Sequence, residues 1–210
     1  MDNEHLKLLQ QRLSPGYQNL AEQLADLGAF VDIPKDQEIL RPGAYVKHVP
    51  IVLSGLVKVM TKGEMKDLLL YYIQPGESCM ISFIHALDQK PSTISAIAEA
   101  PTTALLIPAQ EIEPLIHDSP QFNKLFHELS NKRYTDLLTT IHEVFFNKLE
   151  DRLIKYLKNK KEMTGDSGIK LTHQEIANDL GTAREVISRT LKKLEQDERV
   201  ICTSEKIQLV

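Results

Sequence analysis

The sequence predicts an α+β protein built in successive parts: a short helical lead, a small antiparallel β domain, one long helix, and a compact C-terminal helical domain closed by a hairpin. Three observations carry this. Short β-rich runs broken by turn residues fill the chain from Phe30 to about Pro108. Helical spacing takes over from about Pro120 to Asn147. The last sixty residues then hold two capped helices on either side of a glycine.

Taken in order, the first stretches with helical spacing are Glu4–Leu13 and Tyr17–Leu27, parted by Ser14-Pro15-Gly16. The β-rich runs are Pro50–Leu53, Leu56–Met60, Leu68–Ile73, Thr93–Ala98 and Thr103–Ile107. Turn signals at Arg41-Pro42-Gly43, Ser54-Gly55, Thr61-Lys62-Gly63 and Gln74-Pro75-Gly76 punctuate this region. Strands this short, about ten residues apart, point to a small barrel or sandwich.

In the long helix, Phe122, Leu125, Leu129, Leu137, Ile141 and Val144 mostly follow three- and four-residue steps, interrupted by Arg133. Phe126, Leu138 and Phe145 lie beside them. At 1.5 Å per residue the helix spans roughly 40 Å. Apolar residues on more than one side require two partners, such as its own β domain and a second subunit. A core helix of a monomer is the alternative that periodicity leaves open.

Composition narrows the class. The 210 residues are 42% hydrophobic and 26% charged, with a net charge of −4, the balance of an ordinary globular protein. Cys79 and Cys202 lie far apart, which excludes a disulfide framework, a four-thiolate zinc site and an iron–sulfur cluster held by four cysteines of one chain. The acidic N-terminus lacks the order of a signal peptide, and Leu68–Ile73 is too short to cross a bilayer, so a cytoplasmic location without membrane contact is expected. The first 150 residues carry 13 basic and 19 acidic side chains, and the last sixty carry 12 and 10. This shift favours nucleic-acid contact by the tail only weakly.

The sharp signal lies between Leu171 and Leu194. Thr172 with Glu175, and Thr182 with Glu185, have capping-box spacing. Gly181 stands between them, where the backbone must turn through a left-handed conformation. A short helix, a tight turn and a longer helix make a helix-turn-helix. On the second helix, with Arg184 at zero, Ser188, Glu185 and Arg189 fall at about 40°, 100° and 140°. Ala183, Ile187, Leu194 and Leu191 fall at about 260°–340°, so one face buries itself and the other offers donors and an acceptor. Arginine can donate two bonds to guanine, and glutamate can accept from cytosine. The same charges on a solvated helix face are the bland reading, and the capping spacing, central glycine and clean partition argue against it. Leu149–Lys158 is an amphipathic helix ahead of this motif. Arg199–Val210 reads as two short strands around a Ser204-Glu205 turn, which makes a wing.

The stretch Thr172-His-Gln-Glu-Ile-Ala through Gly181 to Arg184-Glu185-Val-Ile-Ser188-Arg189-Thr-Leu-Lys-Lys-Leu-Glu195 resembles the helix-turn-helix of the Crp/Fnr transcription regulators. Ile39–Met60, with Ser-Gly-Leu-Val-Lys-Val, resembles the start of the cyclic-nucleotide-binding β-roll. Gln74-Pro-Gly-Glu77 resembles its phosphate-side turn, and Ala104–Ile107 its closing strand. The resemblance covers nearly the whole chain. It implies an antiparallel, jelly-roll-like β-roll with its N-terminal helices (residues 1–118), a dimerisation helix (119–147) and a winged helix-turn-helix (148–210). It also implies a homodimer on double-stranded DNA, with RNA polymerase as a further partner.

In this family the positions matching Glu185 and Arg189 read a G·C pair. The position of Arg184 contacts bases in the Crp branch, and that of Ser188 in the Fnr branch. Thr172, His173, Gln174 and Thr182 complete the expected DNA-facing set. The implied operator is an inverted repeat of TG-containing half-sites about one helical turn apart. Effector contacts are expected at Gly76, Glu77, Ser78, Cys79, Ser92 and Thr93.

The chain departs from the cyclic-AMP receptors where they hold the phosphate, since Pro91 stands in the arginine's place. Proline supplies neither charge nor donor, so cyclic AMP is not the expected effector and the cofactor stays unnamed. The N-terminal cysteine cluster of oxygen-sensing Fnr proteins is also absent. Cys79 reads as a small buried residue in preference to a redox-sensitive thiol. The seven histidines form no HExxH or His-x-His pattern, and no P-loop, GxSxG or evident triad occurs, so no metal site or enzyme is expected. The alternative reading is a ligand-binding signalling protein whose tail domain mediates protein contacts.

Overall fold

In the computed structural model, residues 3–13, 15–63, 67–165, 168–203 and 206–210 are described. The chain forms two compact units, one of residues 1–62 and 70–137, the other of 63–69 and 138–210.

The first unit opens with α1 (Asn3–Arg12) and α2 (Gln18–Leu27). Next come β1 (Ala29–Ile33), β2 (Glu38–Leu40), β3 (His48–Ser54), β4 (Val57–Lys62) and β5 (Asp67–Ile73). After α3 (Met80–Asp88) come β6 (Ile94–Ala98), β7 (Thr102–Pro108) and α4 (Ile112–Asp118). The long α5 (Pro120–Phe146) begins here. The strands form two sheets, ordered β1-β7-β3 and β2-β6-β4-β5. Their neighbours run antiparallel, with Ile51 opposite Leu105 and Val59 opposite Ala96.

Strand β3 shows why the sheets pack as they do. Its odd residues Val49, Ile51 and Leu53 join a core with Leu20, Leu24, Phe83 and Phe122 from the helices. The even Val52 points the other way, into a second core with Val57, Val59, Ile73, Cys79 and Ala96. The two-residue period of a strand sends one face to the helices and the other between the sheets. Gly55, at φ +87°, turns β3 into β4, where a Cβ would lie 2.3 Å from the Pro101 carbonyl oxygen. No other residue fits that turn.

All five expected strands form, each extended by a residue or two at one or both ends or trimmed by one. Short strands β1 and β2 and helices α3 and α4 were not anticipated. Met80–Asp88 is a nine-residue, largely apolar run whose buried residues, Met80, Ser82 and Phe83, are too few to display a helical period.

The second unit contains α6 (Leu149–Thr164), α7 (His173–Asp179), α8 (Arg184–Gln196), β8 (Val200–Cys202) and β9 (Ile207–Leu209). Leu153, Leu157, Ile176, Ala177, Ile187, Leu191, Leu194, Val200 and Ile207 form its core. The strands pair antiparallel, and Ile169 bridges to Ile207. The expected Ser204-Glu205 turn, and Ser14 of the first turn, lie outside the described residues. Among the described residues no helix is long and apolar enough to cross a membrane. The fold is α+β, with N-terminal antiparallel sheets, a long helix, and C-terminal helices with a hairpin wing.

Candidate nucleic-acid interface and effector cavity

Helix α7 starts as its sequence requires. The Thr172 Oγ1 accepts the Glu175 N–H, and the Glu175 carboxylate accepts the Thr172 N–H at 2.7 Å, a complete capping box. At the other end, Arg152 of α6 donates to the Leu180 carbonyl at 2.9 Å and Tyr156 donates to Asp179 at 2.7 Å. Gly181 then takes φ +64°. A non-glycine residue adopts this only at a cost.

The second expected capping box does not form. Helix α8 begins at Arg184 with Ala183 as its N-cap, and no side chain caps it. Thr182 sits one residue too early, its N–H donating to the Ala177 carbonyl at 2.9 Å. The tight turn takes this bond first, and Glu185 falls outside the reciprocal position.

From that start α8 divides cleanly. Ile187, Leu191 and Leu194 are buried, while Arg184, Glu185, Arg189 and Lys192 are exposed. Thr172 and Gln174 are exposed, and His173, Thr182 and Ser188 are half-buried. Gln174 donates to Asn178 at 2.8 Å. One contact was not foreseen: His173 Nδ1 lies 2.8 Å from Ser188 Oγ, tying the first helix to the second. The Ser188 hydroxyl also lies 3.0 Å from the Arg184 carbonyl, to which it can donate.

On α5 the six expected interface residues separate. Phe122, Leu125 and Leu129 are 1%, 7% and 8% exposed, buried in the core of their own unit. Their side chains are taken up by the protomer's own core. With Phe122 at zero, Leu125, Leu129, Arg133 and Phe126 occupy an arc from about 300° to 40°. Tyr134, Leu137, Leu138, Ile141 and Phe145 occupy a second arc, about 60° to 160°, and all are 45–77% exposed. The side chain of Val144 lies outside the described residues. Helix α5 ends at Phe146, and α6 starts after Lys148, whose backbone is extended.

The expected effector residues do not converge. Gly76 turns at φ +89° against the Arg12 backbone. Ser78 is buried and donates to the Pro50 carbonyl. Ser92 is buried and bonded to both backbone groups of Ile94. Glu77 is committed elsewhere, pairing with Arg133 and Lys132 of α5 and accepting the Gln74 N–H at 3.0 Å. Arg133 also binds Asp136 at 2.8 Å and stacks its guanidinium 4.4 Å from the Tyr71 ring centre. The interruption of the apolar stripe at Arg133 was the sequence signal for this pairing.

Burial alone would raise the Glu77 carboxyl, but Lys132, Arg133 and the Gln74 amide outweigh it and hold the group below its ordinary 4.5. Its folded value is depressed, so the stabilisation is complete above about pH 4.5 and drains away as the pH falls through the lower folded value. Glu77→Gln is expected to lower the urea midpoint at pH 7, and the gap to the wild type should close as the pH falls below 4.5. Urea unfolding across that range checks it.

Of the six expected effector residues only Cys79 lines a cavity of about 420 Å³ in the β domain. Its wall is Ile39, Leu40, Val57, Ile73, Cys79, Ala96 and Leu106, and its mouth carries Arg41, Tyr45, Lys47 and His48. Thr93 is not among the lining residues. Cys79 is fully buried, with its Sγ 3.7 Å from the Tyr71 hydroxyl. Burial, and next the neighbouring Cys79, push the Tyr71 phenol well above its ordinary range. Among the described residues no cluster of three or more His, Cys, Asp or Glu side chains could hold a metal ion.

Comparison with known proteins supports both halves. The cyclic nucleotide-binding domain family matches residues 30–119, and the bacterial regulatory proteins of the crp family match residues 169–198. No curated protein matches the chain. Among solved structures, a transcriptional regulator of the crp/fnr family from Eubacterium rectale is 23% identical, covers 96% of this chain and 92% of its own, and has a TM-score of 0.82. The c-di-GMP-responsive global regulator CLP of Xanthomonas campestris is 19% identical over 93% and 99% of the two chains, with a TM-score of 0.80. A CRP/FNR-family regulator from Thermus thermophilus is 20% identical over 87% and 93%, with a TM-score of 0.73. At these identities the structures speak for the fold. The two family matches, in this order on one chain, speak for the kind of protein. Regulators of this kind act by binding and are not enzymes. The chain belongs to the Crp/Fnr family of DNA-binding transcription regulators, with a cyclic nucleotide-binding-type effector domain ahead of a Crp-type helix-turn-helix.

Proposed function

We propose that the protein binds an inverted-repeat operator as a homodimer in the cytoplasm, each protomer laying α8 in the major groove, and that a small effector in the β domain biases this binding. The observation that carries the reading is the division of α8, with Ile187, Leu191 and Leu194 buried and Arg184, Glu185 and Arg189 exposed. Arg184, Glu185, Ser188 and Arg189 would choose bases. Thr172, His173, Gln174, Thr182 and Lys192 would hold register on phosphates. Residues 1–118 form the sensing part, 119–147 the dimer helix and 148–210 the reader, with RNA polymerase as the partner that turns binding into regulation.

The exposed arc of α5 supports the dimer. Tyr134, Leu138, Ile141 and Phe145 recur at steps of four, three and four, the spacing of a coiled-coil seam, with Leu137 beside them. The mechanism is a population shift. An effector would favour one setting of α5, and the break at Asn147-Lys148 would pass it to the reader. Selection from random duplexes tests the proposal. Bound sequences should converge on TG-containing inverted half-sites about one helical turn apart. Enrichment of a single unrepeated motif, or none, would refute it.

A further inference from the structure

The cavity in the β domain has two unlike parts. Its interior is aliphatic: Ile39, Leu40, Val57, Ile73, Ala96 and Leu106, with Cys79 and Ser82 as the modest polar exceptions. Its mouth carries Arg41, Lys47 and the His48 imidazole, all exposed. Nothing among the described residues pairs these three side chains with a carboxylate. The one carboxylate of the lining, Glu38, accepts the Ser95 hydroxyl at 3.0 Å. The two unpaired cations, Arg41 and Lys47, beside an imidazole and a largely aliphatic interior match a ligand with an anionic head and an apolar body.

The same lining disfavours a nucleotide. Neither Ser92 nor Thr93 lines the cavity, so the place where the resemblance would put a cyclic phosphate lies outside it. Ser92, the one phosphate-holding residue that resemblance supplied, is turned onto the Ile94 backbone instead.

We propose that this cavity is the effector site for a small organic acid, with its apolar body enclosed by Ile39, Val57, Ile73 and Ala96 and its acid group held at the mouth by Arg41, Lys47 and His48. This rests on the reading of the β domain as an effector domain. The occupant would reach Cys79, whose Sγ touches the Tyr71 hydroxyl, and Tyr71 lies under Arg133 of α5. The acid thus acts where the β domain grips the dimer helix.

A matched pair of fluorescent ligands tests it on the full chain. The aromatic sulfonate 1-anilinonaphthalene-8-sulfonate carries the acid, and N-phenyl-1-naphthylamine has the same body without it. The sulfonate should saturate one site per chain, at least tenfold more tightly than the neutral amine. Arg41→Ala with Lys47→Ala should weaken the sulfonate at least tenfold and the amine less than twofold. Ala44→Trp, which plugs the mouth, should abolish both, and the exposed charge variants keep the test decisive if that chain misfolds. Equal affinity for the two ligands, no effect of the charge variants, or displacement of the sulfonate by micromolar cyclic AMP would overturn the proposal. Wild-type DNA binding, measured on the same preparation both with and without the sulfonate, separates the two failures. Absent sulfonate binding with intact DNA binding removes this inference alone, whereas absent DNA binding removes the regulator reading.

Discussion

Arg189→Ala is expected to weaken binding to the selected operator by about 1–3 kcal/mol per half-site and to relax base choice at one position of each. Two protomers act together, so the loss reaches roughly thirtyfold or more at the dimeric site. Arg189 lies on the exposed side of α8, about 140° from Arg184 on the wheel, and its guanidinium can donate two parallel bonds to a guanine edge. Alanine removes both donors and leaves the buried Ile187 and Leu191 untouched. Lys192→Ala is the contrast: a point charge near the backbone should weaken all sequences alike and reduce the salt slope by about one. Competition gel shifts on the selected site and its single-base variants, at two salt concentrations, distinguish the two patterns. Equal loss on every sequence for Arg189→Ala would place that residue on phosphates.

The second large effect is on assembly. Leu138→Asp with Ile141→Asp is expected to convert the dimer to a monomer in sedimentation, and to cost at least about a hundredfold in operator affinity as the second half-site stops being intramolecular. Both side chains are nearly half exposed in the single chain, at 48% and 45%, so the substitution should leave each protomer folded. Unchanged thermal unfolding of the β domain verifies that. Leu125→Asp would instead unfold the protomer, because Leu125 belongs to its core. A double variant that remained a dimer would remove the coiled-coil seam from the account.

What could be read in advance followed the range of the interactions. The Thr172–Glu175 cap and the Gly181 turn are made by neighbours within a few residues, and both form. The long helix was legible end to end, since Pro120–Phe146 matches its apolar spacing. The division of its stripe was not. Whether Phe122 or Leu137 faces the β domain depends on where the sheets lie, and a 3.6-residue period alone has no origin. The false cap at Thr182 has the same root, because spacing cannot show that the turn takes the Thr182 amide first.

The effector site was the least legible part. Glu77 looked like a pocket residue by its turn, yet its partner Arg133 is 56 residues away. The lining of the proposed effector cavity is drawn largely from β2, the loop after it and the start of β3. Arg41, Tyr45, Lys47 and His48 are ordinary surface residues until the fold gathers them at one opening. Buried charges such as Arg133 were the one readable hint, since a cation in an apolar stripe needs a partner from elsewhere.

Methylation interference on the selected operator puts the recognition surface to the most direct trial. Methylation of guanine N7 blocks the major-groove edge without touching phosphates. Interference is expected at guanines in both half-sites, about ten base pairs apart, and Arg189→Ala should erase it at one symmetric pair. Binding that tolerates every N7 methyl group would contradict the placement of α8 in the major groove.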